Sequence, residues 1–200
     1  MKLIPLGLIY SRFFIGLLIL SLSIIHIEFY PQIAVSLLII GLLTDIFDGI
    51  VARRLNISTQ RLRRLDSNVD QCFFIAVALA TYIQCPAFFS TNYLWIGILL
   101  AAEGLTYLIS FLKFKKEIAT HSIGAKLWTL VLVATLIDII LHCQSPYLFM
   151  YCFWIGVITR IEITAIILTL KNWTNDVPTI YHAWQLRNGK EIKKHKLFNG

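Results

Sequence analysis

Two pairs of aspartates mark the place where this chain could do chemistry. Asp45 and Asp48 stand in "TDIFDGIVARR", directly after the apolar run "QIAVSLLIIGLL", and Asp66 and Asp70 stand in "LDSNVDQ". Residues at i, i+3 or i, i+4 share one helix face, so each pair presents its carboxylates together. Asp45 falls about two turns inside the expected helix end, where a carboxylate costs a few kcal/mol unless something binds it. Helix capping accounts for Asp66 at the start of a span but not for Asp45. Four like charges in one place need a counter-charge. Arg53, Arg54, Arg61, Arg63 and Arg64 lie near enough in sequence to supply it. A divalent cation answers better, because carboxylate oxygens suit Mg²⁺ or Mn²⁺. Four carboxylates could hold two such ions about 3.5–4 Å apart, the arrangement that serves in-line displacement at phosphorus.

Small residues surround the acids. Gly49 and Ala52 remove bulk from the carboxylate-bearing side of the helix, which lets a ligand approach the backbone. Taken alone they would signify only close helix–helix packing, which is common in membranes. Arg53 adds a planar fork suited to phosphate oxygens.

The elements that must hold these groups are membrane spans. The chain is 58% hydrophobic and only 14% charged, against about 25% charged in an average soluble domain, and its mean hydropathy is +0.73. A soluble domain is excluded on that balance. A spanning helix needs about 20 apolar residues, and six runs approach this: Ile4–Ile25, Gln32–Val51, Val69–Ile83, Leu94–Leu112, Ile123–Leu141 and Leu148–Leu170. The third is short unless its helix begins near Asp66. None carries an interior proline; Pro31, Pro86 and Pro146 fall at links, where a missing N–H is tolerated. No small-residue cleavage site follows the first run, so it reads as a retained span rather than a signal peptide.

Basic residues sort completely by link. The links around Phe29, Phe88 and Ser145 hold no Lys or Arg, whereas the links Arg53–Arg64 and Lys113–Ile118 and the tail from Lys171 are rich in them. The positive-inside rule then puts both termini and the two basic links in the cytoplasm, which agrees with an even number of spans. It also accounts for the net charge of +7 without a nucleic-acid partner. The expected architecture is all-α and integral to the inner or plasma membrane. Residues 1–172 form one bundle of six transmembrane helices, and residues 173–200 form a basic cytoplasmic or interfacial tail. The second and third spans pack antiparallel across a short link, so the four aspartates converge just below the inner surface.

In the tail, Asp176 and Pro178 mark a helix start, Ile180, Tyr181 and Trp184 make an apolar face, and "KEIKKHK" supplies a basic run. Such a segment either rests on anionic headgroups or stays solvated; both use the same physics. Cys72 and Cys152 fall in spans as packing residues. Cys85 and Cys143 share the outer side and are expected first as free thiols, with a disulfide as the alternative. His26, His121 and His142 sit near helix ends without metal-ligand spacing.

The order Asp45-x-x-Asp48-Gly49-x-x-Ala52-Arg53, then Asp66-x-x-x-Asp70, resembles the signature of the CDP-alcohol phosphotransferases (CDP-alcohol phosphatidyltransferases). The resemblance extends to the six-helix layout and so over most of the chain. "Pro5-Leu-Gly-Leu-Ile-Tyr-Ser-Arg12" is similar in spacing to the family's first-helix opening, without its usual Asn and Thr. The signature's second glycine falls at Leu62, where a bulky side chain stands instead. "TDIFDGIVARRLNIST" is similar to phosphatidylglycerophosphate synthases in particular.

The resemblance implies a membrane transferase that moves a phosphatidyl group from a CDP-linked donor, CDP-diacylglycerol, to an alcohol, releasing CMP in phospholipid synthesis. Glycerol 3-phosphate is the first acceptor it suggests, with inositol, inositol phosphate and serine as open alternatives. Asp45, Asp48, Asp66 and Asp70 would hold two divalent ions, Mg²⁺ or Mn²⁺. Asp48, Gly49, Ala52 and Arg53 would line the CDP site, and Asp70 would be the general base. The active site would face the cytoplasm, and a homodimer is implied. Lys126 and Arg160 could bind a phosphate on the acceptor; equally, Arg160 could pair with Glu103. Two readings of other classes stay open beside it: a cation-coupled small transporter using the acids as its ion site, and a non-catalytic assembly partner that keeps the fold.

Overall fold

The apolar runs become helices whose ends are set by local chemistry. The elements are α1 (Leu3–Ile25), α2 (Tyr30–Arg54), α3 (Gln60–Gln84), α4 (Pro86–Thr91), α5 (Tyr93–Phe114), α6 (Ile123–His142), α7 (Pro146–Thr169) and α8 (Ile180–Arg187). They come from a computed structural model that describes residues 3–54, 60–116, 122–174, 177–190 and 192, with side chains for all of these but residues 3, 4, 52–54, 60, 61 and 63. No strand occurs among the described residues. Pro31, Pro86 and Pro146 lie in the first turns of α2, α4 and α7, where the N–H that proline lacks would have no intrahelical partner. Three helices stop at a non-glycine residue in the left-handed region: His26 (φ 54°), Lys115 (φ 54°) and Cys143 (φ 51°). The reversal returns N–H groups to the last turn, with Lys115 N donating to Phe111 O at 2.9 Å and Cys143 N to Ile139 O at 2.8 Å.

Five helices, α1, α2, α5, α6 and α7, are long and apolar enough to cross a membrane. The expected third span differs. Its helix α3 starts at Gln60, well before Asp66, and is 25 residues long. Its length suffices, but its first turns carry Arg61, Arg63, Arg64, Asp66 and Asp70, so its apolar part is confined to the second half. The tail helix also differs from expectation. It begins at Ile180 after an extended Thr179, four residues beyond the anticipated start at Asp176. Asp176, His121 and the basic run at 193–196 lie outside the described residues.

The chain forms two compact units, Met1–Thr91 with Leu136–Gln144, and Asn92–Thr135 with Ser145–Gly200. In the first, α1 packs against both α2 and α3. The buried positions of α1 are Pro5, Ile9, Arg12, Gly16, Ile19 and Ser23, alternating four and three residues apart. That is the narrow seam of a helix packed like a coiled coil. On α2 the seam is Tyr30, Ala34, Leu38 and Gly41, and the same face runs on to Asp45 and buried Asp48. Phe73 of α3 locks the three helices together. A Cβ on Gly41 would lie 2.5 Å from its ring and one on Gly16 would lie 3.2 Å from it, so the ring is hemmed in from two helices.

The opposite end of this unit is tied by Gln84, whose Nε2 donates to Ser23 O at 2.7 Å, and by a disulfide between Cys85 and Cys143, with Cα atoms 5.2 Å apart. The expectation of two free thiols is therefore corrected. Cys143 ends α6 in the left-handed region and Cys85 ends α3, which brings both sulfurs to one place. In the second unit α5 packs on α7, and α7 on α8. Ile166, Leu170, Val177 and Ala183 make a buried cluster there, with Phe114 and Leu186 against it. Ile180, Tyr181 and Trp184 stay exposed on α8.

Two measurements check these contacts. Gly41→Val should cost about 1–3 kcal/mol by overpacking against Phe73, read as a lower unfolding midpoint in detergent. Gly97→Ala, where a Cβ meets nothing within 4 Å, should instead gain a few tenths of a kcal/mol; an equal response at both glycines contradicts the packing. Alkylation of the denatured but unreduced protein should label Cys72 and Cys152 alone, and labelling of all four cysteines contradicts the disulfide.

Candidate active site

The carboxylates sit where seam residues would otherwise be apolar, and one cation holds them. Arg12, on the buried face of α1, is 1% exposed. Its Nη1 meets Asp45 Oδ1 at 2.7 Å and also Asp70 Oδ1. Its Nη2 meets Asp66 Oδ1 at 3.0 Å and also Asp48 Oδ2. All four aspartates named from the sequence are thus gathered on one guanidinium. Among the described residues, a counter-charge comes from α1. The side chains of Arg53, Arg54, Arg61 and Arg63 are outside the description, and the exposed Arg64 has a contact of its own.

A signal for Arg12 was present in the sequence: an arginine inside an otherwise uncharged 21-residue apolar helix segment, Pro5–Ile25, needs a partner to be tolerated there. Its direction was hidden, because α1 is apolar all round and periodicity does not reveal which face is buried.

The aspartates differ in exposure. The Asp48 side chain is 4% exposed, whereas those of Asp45, Asp66 and Asp70 are about a third open. Asp48 is therefore the enclosed member of the cluster, and the other three are its accessible ones. Asp45, Asp48 and Asp66 each place a carboxylate oxygen within 4.8 Å of the others. An all-oxygen donor set at that spacing fits Mg²⁺ or Mn²⁺. Asp70 lies outside that close group and joins it through Arg12. Both α2 and α3 run unbroken through their acids; transporter ion sites are instead typically built on interrupted helices.

Gly49 is half-buried in α2 directly after Asp48. Ala52 and Arg53 continue the same helix, with side chains outside the description. Leu62 is a half-buried residue in the first turn of α3 and has a contact partner.

The charges of the second unit solve the same burial problem separately. Arg160 on α7 donates through Nε to Glu103 Oε2 on α5, and its guanidinium lies 4.6 Å from the centre of the Trp128 ring. Trp128 on α6 is fixed in turn by donating Nε1–H to Cys152 O at 3.1 Å, against a glycine, Gly156, that leaves it room. Lys126 stands in the first turn of α6 and has a partner of its own. Ser122 Oγ caps that turn by accepting from Ala125 N at 3.1 Å. The pairing alternative for Arg160 is thus the one the structure holds; Lys126 and Arg160 belong to the second unit and the four aspartates to the first. The last carbonyls of α7 are also satisfied by cations. Lys113 Nζ donates to Ile167 O at 3.0 Å and Leu168 O at 2.8 Å, and Arg187 Nη1 to Thr169 O at 3.2 Å.

Compared with known proteins, the chain matches the family model of CDP-alcohol phosphatidyltransferases over residues 2–171. Searches of curated proteins and of solved structures each gave no match.

The ion pair carries its own test. Removing one partner, by Arg160→Met or Glu103→Leu, should cost about 1–3 kcal/mol, because a half-buried charge is left without its partner. The double variant should recover most of that loss in detergent unfolding. Additive losses would show that the two groups are not coupled.

Proposed function

Because the chain belongs to the CDP-alcohol phosphatidyltransferase family, a membrane family of transferases of substituted phosphate groups, we propose that it moves a phosphatidyl group from CDP-diacylglycerol to a small alcohol, releasing CMP. Glycerol 3-phosphate is the acceptor we name first. The observation that carries the reading is the convergence of Asp45, Asp48, Asp66 and Asp70 from two helices on one point.

The chemistry assigned to these residues is a displacement at phosphorus. The acceptor hydroxyl oxygen forms a bond to the donor's β-phosphorus, the bond from that phosphorus to the CMP oxygen breaks, and CMP leaves with the electron pair. Asp70, about a third open, accepts the hydroxyl proton on its carboxylate. Asp45, Asp48, Asp66 and Asp70 would hold two divalent ions, which would offset pyrophosphate charge and stabilise the leaving group. Gly49 and Ala52 give the CDP headgroup access to the α2 backbone beside Asp48, and Arg53 adds a fork for its phosphate oxygens. Lys126 and Arg160 are the residues assigned to an acceptor phosphate. For Arg160 this needs Glu103 to share it.

The placement in the membrane follows the charge pattern. Six spans, with α3 as the sixth, put both termini and the aspartates at the cytoplasmic side of the inner or plasma membrane. The donor's acyl chains then stay in the bilayer while its headgroup reaches the acids. Residues 1–172 make up the catalytic part, and 173–200 form a tail whose exposed Ile180, Tyr181 and Trp184 suit the headgroup layer.

The test is an assay of purified protein with labelled CDP-diacylglycerol, Mg²⁺ or Mn²⁺ and a panel of alcohols. Metal-dependent CMP release should appear and should fall by about 10²-fold or more in Asp70→Asn, the scale of a lost general base. No release with any acceptor or any CDP-linked donor overturns the reading.

A further inference from the structure

Arg12 is a buried cation in the middle of the site that the displacement chemistry above does not use. A guanidinium has five N–H donors. The four on its terminal nitrogens face four different carboxylates, and Nε is buried with no hydrogen-bond partner among the described residues. Each terminal nitrogen joins one aspartate of α2 to one of α3: Nη1 joins Asp45 to Asp70, and Nη2 joins Asp48 to Asp66. An ion held by Asp45, Asp48 and Asp66 would draw on carboxylates that converge on the place the guanidinium fills. A guanidinium and a divalent ion at the same place exclude one another, both by space and by charge.

Charge then says what the arginine does next. Four carboxylates and one guanidinium carry three net negative charges. Two divalent ions turn that into one positive charge, which a site with 4% exposed Asp48 and 1% exposed Arg12 does not readily screen. Arg12 needs a new anion within its own reach. The pyrophosphate of the donor brings two negative charges and oxygens that fit a planar fork.

We propose that Arg12 is an exchangeable counter-ion. It holds the four aspartates together until divalent ions take them over, and it then pairs with the pyrophosphate of the CDP-linked donor. The inference rests on the functional reading above. It makes Arg12 a competitor of the metal and, at the same time, the group through which nucleotide and metal help each other bind.

The experiment is Mn²⁺ binding to the full-length protein in detergent, followed by electron paramagnetic resonance, with and without CDP. In the wild type, CDP should tighten Mn²⁺ by about tenfold or more, inside the usual range of coupling between sites. Arg12→Met should bind Mn²⁺ alone about tenfold more tightly than the wild type and should lose most of the effect of CDP. Its unfolding midpoint should fall in chelator and recover with Mn²⁺, since the four carboxylates then lack any cation. Arg12→Lys keeps the charge on a single nitrogen and should move in the same direction by less; it serves if the methionine variant does not fold. Mn²⁺ affinity that is unchanged or weaker in both variants, or a CDP effect that persists in full, overturns the proposal and leaves Arg12 a structural tie. In that case CMP release by the wild type shows that the functional reading stands. A wild type that neither binds Mn²⁺ nor releases CMP removes both.

Discussion

A charge placed among apolar side chains must be answered by another charge, and much of the first unit follows from that constraint. Arg12 can reach four carboxylates only if α1, α2 and α3 come close to one another at one level. Closeness is supplied just beyond the site, where Gly16 and Gly41 leave space for the single large ring of Phe73. One helix turn separates Arg12 from Gly16 and Asp45 from Gly41, so the apolar lock and the polar cluster are successive layers of one seam. Packing and electrostatics are therefore not separate accounts here. Widening the seam at Phe73 would pull the carboxylates off the guanidinium, and losing the guanidinium would set four like charges against each other across the seam.

The second unit meets the same constraint with fewer charges. Its ion pair, Arg160 with Glu103, is backed by the face of Trp128, an arrangement in which a ring quadrupole replaces part of the lost hydration. Where α7 ends, its carbonyls are answered by Lys113 and Arg187. A helix end in or near a membrane cannot rely on water, so its orphan carbonyls must find donors within the protein. Arg187 also ties α8 to the end of α7, beside the buried cluster in which Ala183 and Leu186 seat the helix.

Much of this was legible from residue types. Composition gives the membrane class, and the apolar runs give the helices to within a few residues. The cost of Asp45 inside a span points to a polar site from residue type and position alone. The remainder was hidden for physical reasons. Helices that are apolar on every side show no face, so the seam containing Ile9, Arg12 and Gly16 cannot be picked from their sequence alone. The start of α3 was obscured because Arg61, Arg63 and Arg64 look like a loop by charge yet are good helix formers. The disulfide depended on Cys85 and Cys143 meeting at the ends of α3 and α6, which a separation of 58 residues does not reveal. For Ala52 and Arg53 the helix is described but the side chains are not, so their roles rest on sequence and family.

The pairing at Arg12 also explains why the acids are spaced as they are. Nη1 joins Asp45 with Asp70 and Nη2 joins Asp48 with Asp66, so the earlier residue on α2 is level with the later one on α3. That crossing is what two helices running in opposite directions require. The rise from Asp45 to Asp48 is about 4.5 Å and that from Asp66 to Asp70 about 6 Å. Three and four residues are the two steps by which a helix returns to the same face, so each helix brings two carboxylates to the seam at nearly matching heights. A separation of two would turn one acid of a pair away from the seam, and a separation of seven would put the pair about 10 Å apart, beyond the reach of one guanidinium. Spacing, helix direction and the position of Arg12 are thus one geometric condition: two levels of carboxylate, each shared between α2 and α3, and one planar cation from α1 that spans both.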